Sequence, residues 1–417
     1  MSETVAPLAA PPSSGAIRRA KRRSDRARAW RAFGLTLPLL GFLLVFFLLP
    51  IADMLRLAVA NDELARAMPA AATALRGWDG EGLPPEEVAR TLAGEMRAAY
   101  EARTLADVAK RLNNDNPGYR SMLMATGRKL PDAPPDDALG ALAAIDDAWN
   151  NPALWQAFRR AAAPWTDLYV LQSLDLERGP DGAIQARPEG QAVYRIILWR
   201  TFEISLLVTL ACLVLAYPLA YKLAHLDEGT ANLLMILVLL PFWTSLLVRS
   251  AAWIVLLQRE GPINGFLQSI GLIDAPLALV FNRTGVLIAM THVLLPFMVL
   301  PLYAVMRGIP KSHVRAALSL GSTPFTAFRR VFLPQTLPGI GAGALLVFIL
   351  AIGYYITPAL VGGADDQMLA YFVAFFTLQT VNWGMAAALA SVLLVAVTAL
   401  YFLYARVVGI DRIGVGG

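Results

Sequence analysis

Residues 311–334 read Lys311-Ser-His-Val-Arg-Ala-Ala-Leu-Ser-Leu-Gly-Ser-Thr-Pro-Phe-Thr-Ala-Phe-Arg-Arg-Val-Phe-Leu-Pro334 and lie between two long apolar runs. Val314 to Leu320 is compatible with a helix, and Gly321 can take the left-handed conformation that ends one. Thr323 is placed to cap a second helix whose first residue is Pro324, a favoured arrangement. Phe325, Phe328 and Phe332 follow at i, i+3 and i+7, an aromatic stripe expected to pack on the chain's own membrane helices. Pro334 and Pro338 are expected to stop this helix before the next apolar run. Ala316 and Ala317 are small enough to let another surface approach the backbone beside a basic rim. That element suits docking into a groove on a partner.

The chain around this loop is a membrane protein by composition. Of its 417 residues, 57% are hydrophobic and 16% charged, with a mean hydropathy of +0.52; soluble domains carry about 25% charged residues. Spanning the hydrocarbon takes about 20 apolar residues. Six segments qualify: Leu35 to Met54, Ile196 to Leu219, Leu233 to Leu257, Val286 to Met306, Ile340 to Leu360 and Met385 to Tyr404. The first is longer than a signal-peptide core and lacks a clear cleavage site, so it reads as a retained helix. Before it, Arg18, Arg19, Lys21, Arg22, Arg23, Arg26, Arg28 and Arg31 crowd a tail that begins with Ala- and Pro-rich sequence. A basic arm could hold nucleic acid, but directly before an apolar stretch it reads as a cytoplasmic anchor, and no nucleic-acid partner is expected.

Six crossings from a cytoplasmic N-terminus return the C-terminus to the cytoplasm. Lys222 and His225, then Arg307, Lys311, Arg315, Arg329 and Arg330, fall in loops on that side, whereas Gly362 to Trp383 contains no lysine or arginine. This charge bias agrees with the assignment. The expected organisation is a disordered basic cytoplasmic tail (1–34), a first membrane helix (35–55), a mostly helical extracytoplasmic insertion (56–195), a five-helix core (196–408) with a cytoplasmic loop at 307–338, and a short cytoplasmic tail (409–417). Within the insertion, Pro84 to Leu112 has helical patterning and Asn113-Asn114-Asp115-Asn116-Pro117-Gly118 is a turn.

Several chemistries are excluded. Cys212 is the only cysteine, and His225, His292 and His313 are scattered, so neither an internal disulfide nor a Cys- or His-based metal cluster is expected. No nucleotide-binding Gly-x-x-x-x-Gly-Lys-Ser/Thr occurs, and no constellation suits an enzyme, so no catalytic residue or cofactor is assigned. A secondary transporter would show repeated halves, and a sensor would need a cytoplasmic output domain.

The loop resembles the cytoplasmic signature of binding-protein-dependent ABC importer permeases: Glu-Ala-Ala, a glycine after three residues, then an aromatic-rich helix ending in Leu-Pro. Ala316, Ala317, Gly321, Phe328, Leu333 and Pro334 match, while Arg315 stands in place of the glutamate. Thr201-Phe-Glu-Ile-Ser205, Tyr217-Pro-Leu-Ala-Tyr221, Pro241-Phe-Trp-Thr-Ser-Leu-Leu-Val-Arg249, Gly353-Tyr-Tyr-Ile-Thr-Pro358 and Asn382-Trp383-Gly384 resemble the first permease subunit of spermidine/putrescine-type importers. The resemblance covers roughly residues 201–404. It implies an all-α membrane protein of the type I ABC importer permease architecture in the bacterial inner membrane. The implied partners are a cytoplasmic ATPase dimer that binds the ATP, a second permease of a different chain, a periplasmic binding protein and the surrounding lipid. Arg315, Ala316, Ala317, Gly321, Pro324, Phe328 and Pro334 would form the ATPase-coupling element. The solute would be a polyamine; other small solutes such as amino-acid derivatives remain open.

Charged and aromatic residues within the spans are candidates for the pathway. A charge inside the bilayer costs about 2.5–3.5 kcal/mol and needs a partner or a wet cavity. Arg249 and Glu203 lie at comparable depths, and an ion pair between them is the expectation, with snorkelling to the interface as the alternative. Tyr354 and Tyr355 could offer ring faces to an alkylammonium or simply pack. Asp365 and Asp366 read as a solvated loop pair, and Trp243, Trp253 and Trp383 as interface anchors.

Overall fold

The computed structural model describes residue 30 and residues 33–179 and 182–408. The basic tail and the last nine residues lie outside that set, and with them the expected disordered ends. The chain divides into two units, residues 1–56 and 57–417. The first contains most of the helix α1 (Phe33–Leu57), whose apolar side chains are exposed along its length. It carries a π-turn over Leu44–Leu48.

The second unit begins with eight short helices: α2 (Glu63–Ala67), α3 (Pro69–Gly77), α4 (Glu86–Glu101), α5 (Leu105–Asn113), α6 (Tyr119–Lys129), α7 (Ala138–Ile145), α8 (Pro152–Ala162) and α9 (Leu168–Ser173). In α4, Val88, Ala89, Leu92, Ala93, Met96 and Ala99 are buried, the one-sided stripe of a helix on a core. The core centres on Trp149, Trp155 and Phe158, with ring centroids 5.2 to 6.2 Å apart. Each indole N–H finds a partner: Trp149 donates to Thr126 Oγ1 at 3.1 Å and Trp155 to the Trp149 carbonyl at 2.9 Å. The Asn113–Gly118 turn forms as the sequence predicts, with Gly118 at φ 107° and its N–H given to Asn113 Oδ1. A two-stranded antiparallel hairpin, β1 (Leu176–Arg178) and β2 (Ile184–Ala186), closes the insertion, and with an isolated bridge between Ala60 and Trp165 it departs from all-helical structure.

The membrane half follows as α10 (Tyr194–His225), α11 (Glu228–Leu239), α12 (Leu246–Leu257), α13 (Pro262–Ser269), α14 (Arg283–Gly308), α15 (Lys311–Ser319), α16 (Pro324–Ile352), α17 (Ile356–Val361), α18 (Leu369–Leu378) and α19 (Trp383–Val408). Among the described residues, five helices are long and apolar enough to cross a membrane, and six if the bent pair 228–243 and 246–269 counts as one span. Helices α10, α14 and α16 pack on one another as the centre. Small residues let them close: a side chain at Gly343 would meet Met298 Sδ at 2.7 Å and force that side chain to shift. Along α10, the hydroxyls of Thr201, Ser205 and Thr209 each donate to the carbonyl four residues back, which hides them from the apolar surroundings.

Three expectations are corrected. The segment Leu233 to Leu257 is not one straight helix but bends by 98° at Thr244 and Ser245, because Pro241 withholds an N–H and the chain tightens into a single 3-10 turn. The helix expected over Ile340 to Leu360 instead starts at Pro324 and stops at Ile352 before Gly353. Pro334 and Pro338 do not stop it. A π-turn over Phe328–Phe332 precedes Pro334, which falls in the first turn of the following α-segment, where its missing N–H is harmless.

Candidate functional site

The loop between α14 and α16 is held by its aromatic side chains. Phe328 stands edge-on to Tyr217 and Tyr221, with centroids at 6.2 and 5.8 Å. Phe332 does the same to Tyr221 at 5.3 Å. Both anchor the start of α16 against the end of α10. Phe325 departs from the expected stripe and is 71% exposed, since it precedes the π-turn that swings the other two rings inward. His313 Nδ1 and Gln335 Oε1 lie 2.8 Å apart and tie α15 to α16.

Between the two helices the predicted break is present. Gly321 has φ 86°, and Thr323 Oγ1 accepts from the Thr326 N–H ahead of Pro324. Ala316, Leu320 and Phe325 face outward, Leu320 at 88% exposure. An adjoining groove of about 770 Å³ is lined by residues that include His225, Asp227, Glu228, Arg307, Lys311 and Arg315. Arg307 closes one wall by bonding Glu228 Oε1 at 3.1 Å and the Leu226 carbonyl at 3.2 Å. Asp227 caps α11, and the Thr230 N–H holds its carboxyl below the usual carboxylate range. Arg315 is exposed, with no described acidic partner. The result is an apolar, convex element beside a mixed-charge groove, a surface suited to receiving a second protein.

At the opposite end of α10 the expected Glu203–Arg249 pair does not form. Glu203 pairs with Arg283, the first residue of α14, at 2.8 Å, and Arg283 also reaches Asp366 at 3.2 Å. Asp366 is buried and accepts the Gly363 N–H, so it is not the solvated residue expected; Asp365 is exposed. Arg283 was not singled out by sequence because it sits just before an apolar run, where a basic residue reads as a flank. Arg249 Nε and Nη1 are buried without a hydrogen-bond partner among the described residues. Its charge acts on His292 and Tyr354. Tyr354 is half-buried and Tyr355 is 37% exposed, in the break between α16 and α17. The half-buried Trp253 donates its indole N–H to His292 Nδ1 at 3.2 Å. Trp243 is 77% exposed and Trp383 46%.

The insertion is fastened to the membrane half at helix ends. Asp175 accepts from the N–H groups of Val193, Tyr194 and Arg195 at 2.7 to 2.9 Å, capping α10. Lys110 Nζ donates to the carbonyls of Thr380 and Val381 after α18, and burial there pulls its pKa down. The Tyr169 ring lies on Gly384, where a Cβ would meet it at 2.3 Å. Burial pushes the Tyr169 hydroxyl up to about 12. No group of three or more metal-ligating side chains occurs among the described residues.

Residues 190–409, just over half the chain, match the family described as binding-protein-dependent transport system inner membrane component. The chain belongs to that family. It is therefore a permease subunit of an ABC importer, a multi-pass inner-membrane protein with no catalytic role of its own. Among relatives, it is 36% identical over 214 residues to the spermidine/putrescine transport system permease protein PotB of Escherichia coli (strain K12), covering 51% of this chain and 78% of that one. It is 37% identical over 185 residues to the inner membrane ABC transporter permease protein YdcU of the same strain, covering 41% and 58%. Among solved structures, the crystal structure of a bacterial alginate ABC transporter in complex with an alginate pentasaccharide-bound periplasmic protein has a similar chain, at TM-score 0.43 and 16% identity, covering 51% of this chain and 77% of that one.

Proposed function

We propose that this permease carries polyamines of the spermidine/putrescine class into the cytoplasm, after delivery by a periplasmic binding protein and at the expense of ATP hydrolysed on a separate ATPase. The observation that carries the reading is the 36% identity to PotB across most of that protein's length. The ends of the chain and the loop at 307–338 face the cytoplasm in this reading, in keeping with the basic residues in the loops on that side. Arg315, Ala316, Ala317, Gly321, Pro324, Phe328 and Pro334 form the coupling element. Its exposed Leu320 and Phe325 meet the ATPase while Phe328 and Phe332 pass the movement to α10. ATPase closure then shifts the balance between two arrangements of the helices through contacts that differ between them.

Glu203, Arg249, Tyr354 and Tyr355 line the pathway or its gate, with Arg283 bridging Glu203 and Asp366. The insertion lies on the outer side, where it offers docking surface to the binding protein and, through Lys110 and Asp175, braces the ends of α10, α18 and α19.

The test is ATP-dependent uptake of labelled putrescine and spermidine by the reconstituted complex against a panel of unlabelled solutes. Saturable polyamine uptake that requires ATP and the binding protein supports the reading; uptake of another solute retires the polyamine and keeps the permease. A cysteine placed at Glu101 in a Cys212→Ser background reports the side of the insertion. Labelling by an impermeant maleimide in intact spheroplasts is the expected result, and labelling only after lysis would put the insertion inside.

A further inference from the structure

Arg249 presents a problem that this chain does not solve. Its Nε and Nη1 are sealed from solvent and meet no acceptor. A guanidinium has no neutral form to retreat to, and each buried N–H left without an acceptor carries the cost of an unmade hydrogen bond. Of the acids within this chain's candidate spans, three are already paired. Glu203 is paired with Arg283, Glu228 with Arg307 and Asp53 with Arg56, while Glu260 is exposed in the turn after α12.

The position of Arg249 indicates where the missing acceptor comes from. It lies in the first turn of α12, just past the 98° bend, and Ser250 beside it bonds Thr357 of α17 at 3.0 Å. On the other flank, Leu247, Val248, Ala251, Ala252 and Val255 form an exposed apolar face. Arg249 stands on the border between the packed and the uncovered sides. Small, apolar side chains suit the close approach of another helix, and an unpaired cation at the edge of such a face calls for an anion on whatever covers it.

We propose that a second transmembrane subunit of a different chain packs on this face of α12 and closes Arg249 with a carboxylate from one of its own membrane helices. In a second copy of this chain the one span acid without an ion pair among the described residues, Glu260, lies in the turn after α12 rather than on a helix, and a polyamine, being a cation, cannot serve as the acceptor. The inference rests on the permease reading but not on the solute, because its test reads assembly.

The complex is co-expressed with its companion permease, ATPase and binding protein, and the companion retained after detergent purification is quantified. Arg249→Gln is expected to lose at least tenfold of it and Arg249→Lys much less. Each aspartate and glutamate in the companion's spans is then changed to glutamine, with this chain left intact. One of these is expected to reproduce the Arg249→Gln loss, and exchanging the charges, Arg249→Glu with that acid changed to arginine, is expected to restore retention. Full retention by Arg249→Gln with failed uptake would make the acceptor a solute group and overturn the proposal. So would retention that follows the anionic lipid content, or a companion in which no single acid reproduces the loss.

Discussion

In the insertion, Arg111 is 2% exposed and every direction it faces is answered: Asn61 Oδ1 at 2.7 Å, Asp115 Oδ2 at 2.6 Å and Thr166 Oγ1 at 3.4 Å. In the membrane half, Arg249 Nε and Nη1 are buried and meet no hydrogen-bond partner among the described residues. The first region is a closed fold with large aromatic side chains at its centre and a hydrogen-bonded network around Arg111, although Glu63 Oε2 and Arg187 Nε in it are buried without a hydrogen-bond partner among the described residues. The second packs small residues, meets the hydroxyls of Ser205 and Thr209 within α10, and leaves exposed faces and an unpaired charge. The buried guanidinium at the centre of the first region is satisfied by its own chain; that of the second leaves room for a partner to finish it. The same contrast runs through the relatives. About three quarters of PotB is matched by only half of this chain, so the insertion has no counterpart of its size there.

The largest expected effect lies in the closed region. Arg111→Met leaves Asp115 buried with only Arg160, and strands the Asn61 carbonyl oxygen. Removing one partner of a buried pair costs about 3–5 kcal/mol. The insertion should become a substrate for limited proteolysis while the membrane half stays intact in the bilayer. Loss of both together would show that the insertion and the membrane half fold as a single cooperative unit, and the contrast above would fail.

A smaller effect is expected from Thr201→Val. Thr201 Oγ1 donates to the Ile197 carbonyl and accepts the Leu369 N–H at 2.9 Å, fixing the start of α18 to α10. Valine keeps the shape and orphans that N–H, a loss of about 1–3 kcal/mol. Hydrogen exchange at Leu369 should speed up, and Thr201→Ser should leave it unchanged. Next comes Gly384→Ala at the junction of the two regions. The new methyl meets the Tyr169 ring at 2.3 Å, and overpacking costs about 1–3 kcal/mol. Exchange over 378–386 should rise, and combining it with Tyr169→Ala should be less damaging than the sum of the single changes. Strict additivity would mean the ring and the glycine are not in contact in the membrane.

What the sequence made legible follows the same division. The loop at 311–334 was readable down to Gly321 and the Thr323 cap because those features are local: a left-handed residue, a hydroxyl and a proline in fixed order. The membrane segments were readable as apolar runs, but their breaks were not. Pro241 ended a helix while Pro334 and Pro338 did not, and the difference is a π-turn that no single residue announces. In the pathway, Glu203 and Arg249 were recognisable as unusual, yet their pairing depended on which helix faces which. Arg283, eighty residues from Glu203, was the partner. In the insertion only helical patterning was legible, because its core and the Arg111 network join residues up to about a hundred positions apart.

The smallest effect on stability is the most direct probe of a region finished by partners. Phe325 is 71% exposed and its ring has no aromatic neighbour, whereas Phe328 and Phe332 are fixed against Tyr217 and Tyr221. An exposed side chain of this kind should change stability by no more than about 0.5 kcal/mol when truncated. A large exposed apolar ring on a rigid, small-residue element is nevertheless what a binding groove takes as an anchor. Phe325→Ala should therefore leave the melting temperature of the isolated permease unchanged and lower ATPase retention on the complex by tenfold or more. Phe328→Ala should do the reverse in order, destabilising the loop first and losing the ATPase as a consequence. Equal retention by Phe325→Ala and the unaltered chain would mean that the exposed face of α15 and α16 is not where the ATPase docks. The coupling role would then pass to the groove walled by Arg307 and Glu228.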